Sequence, residues 1–170
     1  MSSAAPPPRL VVVCGTGGSG KTVLADALSR RLGIACLHKD AIKAALHDAG
    51  VVTPRSYEIF LTLVEQQIAN GVDLIAEATF HGSDAPELLR RWQRAYDLDV
   101  VRVLCRASAA TRRTRILIRP RHPAHAEADR QQLERPEPIA AYSAFPGRHV
   151  LVDTEQPLSA SLEEVLAGLR

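Results

Sequence analysis

The sequence predicts an α/β fold in which a five-stranded parallel sheet lies between layers of helices on both faces. Short apolar runs alternate with segments of helical periodicity along most of the chain. Hydrophobic residues make up 46% of the 170 residues, which is enough for one buried core of ordinary size. Strands that alternate with helices pack as a parallel sheet with crossover helices.

Five apolar runs have the length and composition of buried parallel strands. They cover residues 10–14, 34–37, 72–78, 99–105 and 150–152. Gly33 is placed to end the first helix in a left-handed conformation, and Ser108 is placed to cap an arginine-rich helix. Residues 1–8, rich in Ser, Ala and Pro, are predicted to form a disordered tail before a single domain over residues 9–170.

The first strand runs directly into a glycine-rich loop that ends in Lys-Thr. In a strand-loop-helix context, the backbone N–H groups of such a G-x-x-x-x-G-K-T loop surround the β-phosphate of a nucleotide. Lys21 then reaches the β- and γ-phosphates, and the Thr22 hydroxyl ligates Mg²⁺. The predicted cofactors are therefore ATP and Mg²⁺. The predicted binding residues are Gly15, Gly17, Gly18, Ser19, Gly20, Lys21 and Thr22.

The same loop also satisfies the shorter G-x-G-x-x-G pattern of dinucleotide-binding domains, through Gly15, Gly17 and Gly20. Asp40 lies 20 residues after the last of these glycines, where a ribose-binding acid would follow. That pattern does not require Lys-Thr after its last glycine, and 170 residues leave little room for a dinucleotide domain with a catalytic partner. We therefore favour the phosphate-loop interpretation.

Asp40 follows the second strand, at the sheet edge where functional side chains gather in open α/β sheets. We expect it close to the end of the first strand, near a γ-phosphate held by Lys21. A carboxylate there can accept the proton of an attacking hydroxyl. Asp40 could instead be the N-cap of a helix over residues 41–49. Lys43, one turn on, could hold the substrate or be a solvated helix lysine.

The third strand ends in an acid, Glu77. It is predicted to bind the hydration shell of Mg²⁺ across from Thr22, although Asp is the usual residue at that place. Glu77 could orient the substrate instead. His81, just beyond, is predicted to line the pocket of the phosphate acceptor, with an exposed loop histidine as the alternative.

Arginines crowd a short region after the fourth strand. Arg112, Arg115 and Arg119 have the spacing i, i+3, i+7, which puts all three on one face of a helix. Like charges on one stripe repel in a free helix, and a bound triphosphate would relieve that repulsion. We predict a lid over about residues 112–135 that excludes water and stabilises charge on the transferring phosphoryl group. A stripe that faces solvent or nucleic acid is the alternative.

Charge and cysteine content narrow the class of protein. The formal net charge is +2, the longest apolar runs are strand-sized, and the amino-terminal residues lack the features of a secretory signal. Cys14, Cys36 and Cys105 show no metal-ligand spacing and are odd in number, which favours reduced thiols. We expect a cytoplasmic protein whose partners are ATP and a small hydroxylated substrate, with no membrane or nucleic-acid partner.

From about residue 9 to residue 170 the chain resembles the small P-loop kinases of the nucleoside-monophosphate-kinase-like group. Within that group it is most similar to the AAA-type ATPase, zeta-toxin and chloramphenicol phosphotransferase relatives. The similarity rests on the glycine loop, on Asp40-x-x-Lys43, on residues 105–125 and on Val152-Asp153-Thr154. The resemblance implies a three-layer P-loop NTPase fold with an Arg-rich lid.

The resemblance also implies roles for individual residues. Asp40 would activate the acceptor hydroxyl, Arg115 and Arg119 would be lid arginines on the phosphates, and Asp153 and Thr154 would lie beside the adenine. Motifs and resemblance together predict a Mg²⁺-dependent ATP:alcohol phosphotransferase that acts on an antibiotic, sugar or nucleoside-like metabolite. A zeta-toxin-like sugar-nucleotide kinase is a second possibility. A nucleotide-dependent switch or nucleic-acid-associated ATPase is a third.

Overall fold

The computed structural model describes residues 6–80, 84–120, 122–125 and 142–170. Within these residues the predicted α/β fold is confirmed, because five parallel strands form one sheet with helices packed around it. The strands are β1 (Arg9–Cys14), β2 (Ala35–His38), β3 (Leu74–Glu77), β4 (Asp99–Arg106) and β5 (Arg148–Asp153). The helices are α1 (Lys21–Leu32), α2 (Lys39–Asp48), α3 (Ser56–Ala69), α4 (Ala85–Tyr96), α5 (Ala109–Ile118) and α6 (Leu158–Gly168), with a 3-10 turn at Pro123–His125.

The strand order of the sheet is β2-β3-β1-β4-β5. The first crossover, through α1, skips one position, so that β2 pairs with β3 and not with β1. A dinucleotide-binding sheet of order 3-2-1-4-5-6 has its second strand beside the first, so the observed order does not fit that alternative. Asp40 accordingly lies one strand farther from β1 than we expected. The residue in register with Val13 at the end of β1 is Glu77.

Two apolar clusters, one on each face of the sheet, bury the strands. Val12 of β1 packs in one cluster with Phe60 of α3 and Trp92 of α4. Its neighbour Val13 packs in the other cluster with Val165 of α6, since successive strand residues point to opposite faces. Helices therefore cover both faces, and the carboxyl edge of the sheet is the place where polar side chains gather.

The ends of the helices follow local sequence signals, with one correction. α1 ends at Gly33 in the left-handed region, with φ +69°, as predicted. α5 starts after Ser108, whose hydroxyl accepts a hydrogen bond from the backbone N–H of Thr111 at 3.2 Å. The N-cap of α2 is His38, so the alternative that Asp40 caps this helix is wrong. Asp40 lies in the first turn instead, where a carboxylate interacts favourably with the helix dipole.

Some predictions concern residues outside the described ranges. These are the tail over residues 1–5, His81, and the parts of the lid at residues 121 and 126–135. At the end of the predicted tail, the carbonyl of Pro8 accepts a hydrogen bond from the backbone N–H of Asp99 at 3.0 Å. Among the helices that are described, none combines the length and the apolar content that crossing a bilayer requires.

A matched pair of glycine substitutions tests the packing of β5. Gly147 and Gly50 both have positive φ, of 86° and 75°. A Cβ on Gly147 would lie 2.2 Å from the carbonyl oxygen of Val100, whereas a Cβ on Gly50 would meet nothing within 4 Å. In urea denaturation we expect Gly50→Ala to cost about 1 kcal/mol and Gly147→Ala about 3 kcal/mol or more. Equal losses would contradict the close approach of the two strands.

Candidate active site

The loop between β1 and α1 has a backbone conformation that favours glycine. Gly15, Gly18 and Gly20 have φ values of 138°, 76° and 84°. A Cβ on Gly15 would lie 2.4 Å from the carbonyl oxygen of Cys105, and one on Gly18 would lie 2.6 Å from that of Arg112. The loop is thus packed so tightly against β4 and α5 that side chains at these two positions would collide with backbone.

The loop provides donors for a polyphosphate. Lys21 is buried at the start of α1, and its Nζ donates to the carbonyl of Thr16 at 2.9 Å. The Ser19 hydroxyl is buried and has no hydrogen-bond partner among the described residues. The unpaired N–H groups at the start of α1 attract anions. Mg²⁺ prefers oxygen ligands, and two side chains offer them here: the hydroxyl of half-buried Thr22 and the carboxylate of Glu77.

Two of the three predicted lid arginines contact the loop region directly. Arg112 is buried, and its Nη1 donates to the hydroxyl of Thr16 at 2.9 Å. Arg115 donates to the carbonyl of Gly18 in the loop at 3.3 Å, and to the hydroxyl and the carbonyl of Thr154 at 3.0 and 2.7 Å. The prediction that Arg119 lies on the same helical face is wrong, because α5 ends at Ile118 and Arg119 has an extended backbone and is exposed. Its position before a proline explains that ending, since the following ring disfavours helical backbone.

An acid that the sequence analysis missed fixes the first turn of α5. The Glu155 carboxylate accepts hydrogen bonds from the backbone N–H and hydroxyl of Ser108, at 3.1 and 2.9 Å, and from the Thr111 hydroxyl. The bonds from Thr111 and Ser108 lower the pKa of Glu155. Its neighbour Thr154 holds Arg115, so two adjacent residues of the β5–α6 loop secure two successive turns of α5.

A cavity of about 560 Å³ opens beside the glycine loop, between α5 and the segment after β5. Three partly exposed apolar side chains from different helices line it, Val23, Ile118 and Leu158. Such walls suit a flat heteroaromatic ring. Thr154 also lines this cavity, and its place beside the adenine stays a prediction. Asp153 does not; it borders a separate groove, and its carboxylate accepts from the backbone N–H of Glu155 at 2.9 Å.

Asp40 lies among basic groups on the other half of the sheet. Its Oδ1 is 3.5 Å from Nζ of Lys39 and 3.9 Å from Nδ1 of His125. Burial raises the pKa of Asp40, but the charges of Lys39, His125 and Lys21 outweigh it and lower the pKa below the usual value. The carboxylate is therefore ionised at neutral pH, and with 57% of the side chain exposed it can meet a substrate. Lys43, half-buried, lies one turn along α2.

His38 bridges two carboxylates, a contact that sequence analysis did not predict. Its Nδ1 lies 3.0 Å from Oε2 of Glu77, and its Nε2 lies 3.0 Å from Oδ1 of Asp26. Ionised carboxylates only accept hydrogen bonds, so both ring nitrogens donate and His38 is positively charged. Hydrogen bonds to the Cys36 side chain and to Glu77 raise the pKa of His38 to about 10, although burial opposes this.

A second histidine cluster connects the end of α2 to the segment before the 3-10 turn. Nε2 of His122 lies 2.9 Å and Nδ1 of His47 lies 3.7 Å from the same oxygen of Asp48. These residue types could hold a metal ion. However, Nδ1 of His122 accepts from the backbone N–H of Ala124 at 3.2 Å, which leaves the ring proton on the nitrogen that faces Asp48. The cluster therefore fits a hydrogen-bonded clamp better than a metal centre.

A family model decides the assignment of the chain. The model of the AAA_33 family, described as an AAA domain, matches residues 10–137, which is more than half of the sequence. The chain belongs to this AAA domain family. The predicted resemblance to small P-loop kinases with AAA-type ATPase relatives is thereby confirmed. In a search of curated proteins, no sequence matches this AAA domain.

Solved structures share the fold of this AAA domain over nearly the whole chain. A candidate kinase from Chloroflexus aurantiacus has a TM-score of 0.78 at 24% identity, over 97% of this chain and 100% of that one. APS kinase of Mycobacterium tuberculosis, in complex with AMPPNP and APS, has a TM-score of 0.67 at 20% identity, over 97% of this chain and 99% of that one. A gluconokinase from Sinorhizobium meliloti has a TM-score of 0.62 at 22% identity, over 96% of this chain and 91% of that one. The AAA domain therefore has the P-loop kinase fold.

The contacts of Glu155 predict a measurable effect on α5. Glu155→Ala removes the acceptor for Ser108 and Thr111 at the helix start, so the amides of α5 should exchange with deuterium about threefold to tenfold faster. Glu163→Ala, at an exposed position on α6, is the control and should leave α5 unchanged. Hydrogen exchange read by mass spectrometry makes the comparison, and equal exchange in the two variants would contradict the role of Glu155.

Proposed function

We propose that this AAA domain is a Mg²⁺-dependent ATP phosphotransferase that moves the γ-phosphate to a hydroxyl group of a small molecule. The observation that carries the proposal is the convergence of Lys21, Arg112 and Arg115 on one glycine loop. Three cations and the unpaired amides of a helix start give a site suited to a polyphosphate. The free Ser19 hydroxyl adds a donor that no described residue uses.

The residues fit the two cofactors in distinct ways. When bound, ATP would supply the phosphoryl group and Mg²⁺ would neutralise charge on its β- and γ-phosphates. Lys21 and the loop amides would hold the phosphates, and Thr22 and Glu77 would serve the metal. The apolar walls beside the loop, Val23 and Ile118, would take the base.

Proton transfer falls to Asp40 in this proposal. Its ionised carboxylate takes the proton of the acceptor hydroxyl as the hydroxyl oxygen bonds to the γ-phosphorus and the bond from that phosphorus to the leaving oxygen of ADP breaks. Arg115 is fixed by Thr154 beside the loop, where its charge offsets that of the phosphates. Arg119 lies beyond the end of α5 and would approach the phosphoryl group on closure.

Two observations favour a small acceptor over a nucleic acid. Arg112 and Arg115 donate to Thr16 and Thr154, so they are turned toward the loop and away from an external phosphate backbone. Similar solved structures also include enzymes named gluconokinase, APS kinase and shikimate kinase. We infer a cytosolic enzyme, because Cys14, Cys36 and Cys105 are all free thiols, as is usual for proteins of a reducing compartment.

The direct test is ATP consumption with Mg²⁺ across a panel of sugars, nucleosides, sugar nucleotides and hydroxylated antibiotics. We expect mass spectrometry to detect one acceptor that gains a phosphate. Lys21→Ala should abolish the reaction, because the loop loses the charge that faces the β- and γ-phosphates. If ATP binds but no acceptor gains phosphate, and RNA or DNA binding falls steeply with salt, the kinase proposal is wrong.

Asp40→Asn tests the proton acceptor. We expect the rate of transfer to fall by about 10² or more while ATP affinity changes less than about twofold, because the amide cannot take a proton. Glu58→Gln, an exposed carboxylate-to-amide change on α3, is the control and should leave the rate unchanged. Wild-type turnover in Asp40→Asn would remove Asp40 as the base.

The pH dependence of transfer gives a separate check on Asp40. Because the pKa of Asp40 is lowered, its carboxylate stays ionised until the pH falls below the usual pKa of Asp, about 3.9. The enzyme should lose activity only below that pH. We therefore expect the rate to hold down to about pH 4 wherever circular dichroism shows the protein still folded. A decline centred well above that pH would contradict the assignment.

A further inference from the structure

Three elements of the proposed site meet at His38. Asp26 lies on α1, four residues after Thr22, and hence on the same face of that helix. His38 is the last residue of β2, two residues before Asp40. Glu77 ends β3, in register with His38. The imidazole thus joins the segments that carry the proposed metal ligands to the segment that carries the proposed base.

Glu77 needs a partner at this position. Only 4% of the residue is exposed, and an ionised carboxylate that is buried without a counter-charge is strongly destabilising. His38 is that partner, because its Nδ1 lies 3.0 Å from one oxygen, Oε2. Among the described residues, Oε1 accepts no hydrogen bond. The carboxylate is therefore held by one oxygen and has its second oxygen available.

Asp26 fixes the orientation of the His38 ring. Nε2 is bonded to Asp26 and Nδ1 to Glu77, so rotation of the ring would break both contacts. Metal-site carboxylates and histidines are commonly oriented by partners of this kind, and loss of such a partner weakens metal binding. Hydrogen bonds therefore link Asp26 to His38 and His38 to Glu77, the carboxylate proposed to serve the metal.

We propose that His38, anchored by Asp26, is a positioning residue that holds one oxygen of Glu77 and directs its second oxygen toward the Mg²⁺ of the bound nucleotide. The inference rests on the proposed function, because it takes Mg²⁺ and a nucleotide as the ligands. It goes beyond that function in assigning a role to two side chains, His38 and Asp26, that lie outside the glycine loop and the arginine helix.

Calorimetric titration of ADP with Mg²⁺, and with EDTA in its place, tests the proposal without any acceptor. In His38→Gln we expect the affinity without Mg²⁺ to stay within about twofold of wild type, and the enhancement by Mg²⁺ to fall about tenfold. Asp26→Asn should lower the enhancement less, because His38 keeps its bond to Glu77. His149→Gln, on the opposite edge strand of the sheet, is the matched control and should behave as wild type.

The double variant that combines Glu77→Gln with His38→Gln separates positioning of Glu77 from a general effect on the fold. Glu77→Gln should lower the enhancement by Mg²⁺, and adding His38→Gln should lower it no further, because no carboxylate is left to position. Thermal unfolding checks that every variant is folded. If His38→Gln is unfolded, the test rests on Asp26→Asn, whose side chain is partly exposed. Additive losses, or full enhancement in His38→Gln and Asp26→Asn, would overturn the proposal. No Mg²⁺-dependent binding of ADP by the wild type would instead overturn the proposed function, and the inference with it.

Discussion

The close approach of α5 to the glycine loop is the constraint on which the rest of the site depends. The Gly18 backbone lies so near the carbonyl of Arg112 that no side chain fits between them. That contact lets Arg112 reach Thr16, and it allows Arg115 to bridge from the loop to Thr154. Positive charge therefore surrounds the loop in the folded protein without any ligand. Packing and the carboxylate of Glu155 offset the repulsion between these charges.

Sequence could predict the parts of the site that are contiguous or periodic. The loop from Gly15 to Thr22 is a single run, and helical spacing puts Arg112 and Arg115 on one face of α5. His38 and Glu155 were missed because their partners are distant in sequence, 39 residues away for Glu77 and 47 for Ser108. No local pattern encodes such pairs; only the register of the strands and the course of the β5–α6 loop bring them together.

The order of the strands was also beyond reach of the sequence, for a related reason. Alternation of strands and helices predicts a parallel sheet but does not say which crossover skips a position. Because β3 is inserted between β1 and β2, Glu77 rather than Asp40 ends beside the glycine loop. The end of α5 was, by contrast, encoded locally, since Arg119 precedes Pro120; the prediction that Arg119 continues the helical stripe overlooked that signal and was wrong.

The same strand order divides the molecule into two halves about β1. The groups on the loop, α5 and the β5–α6 segment all belong to the β4–β5 side, whereas Asp40, Lys43, His125 and Glu77 belong to the β2–β3 side. Asp40 and Lys43 can thus be replaced without disturbing the packing that organises the loop, whereas Glu77 is tied through His38 to Asp26 of α1. A lineage with this architecture is free to change what the start of α2 contacts while inheriting the loop and its packing intact.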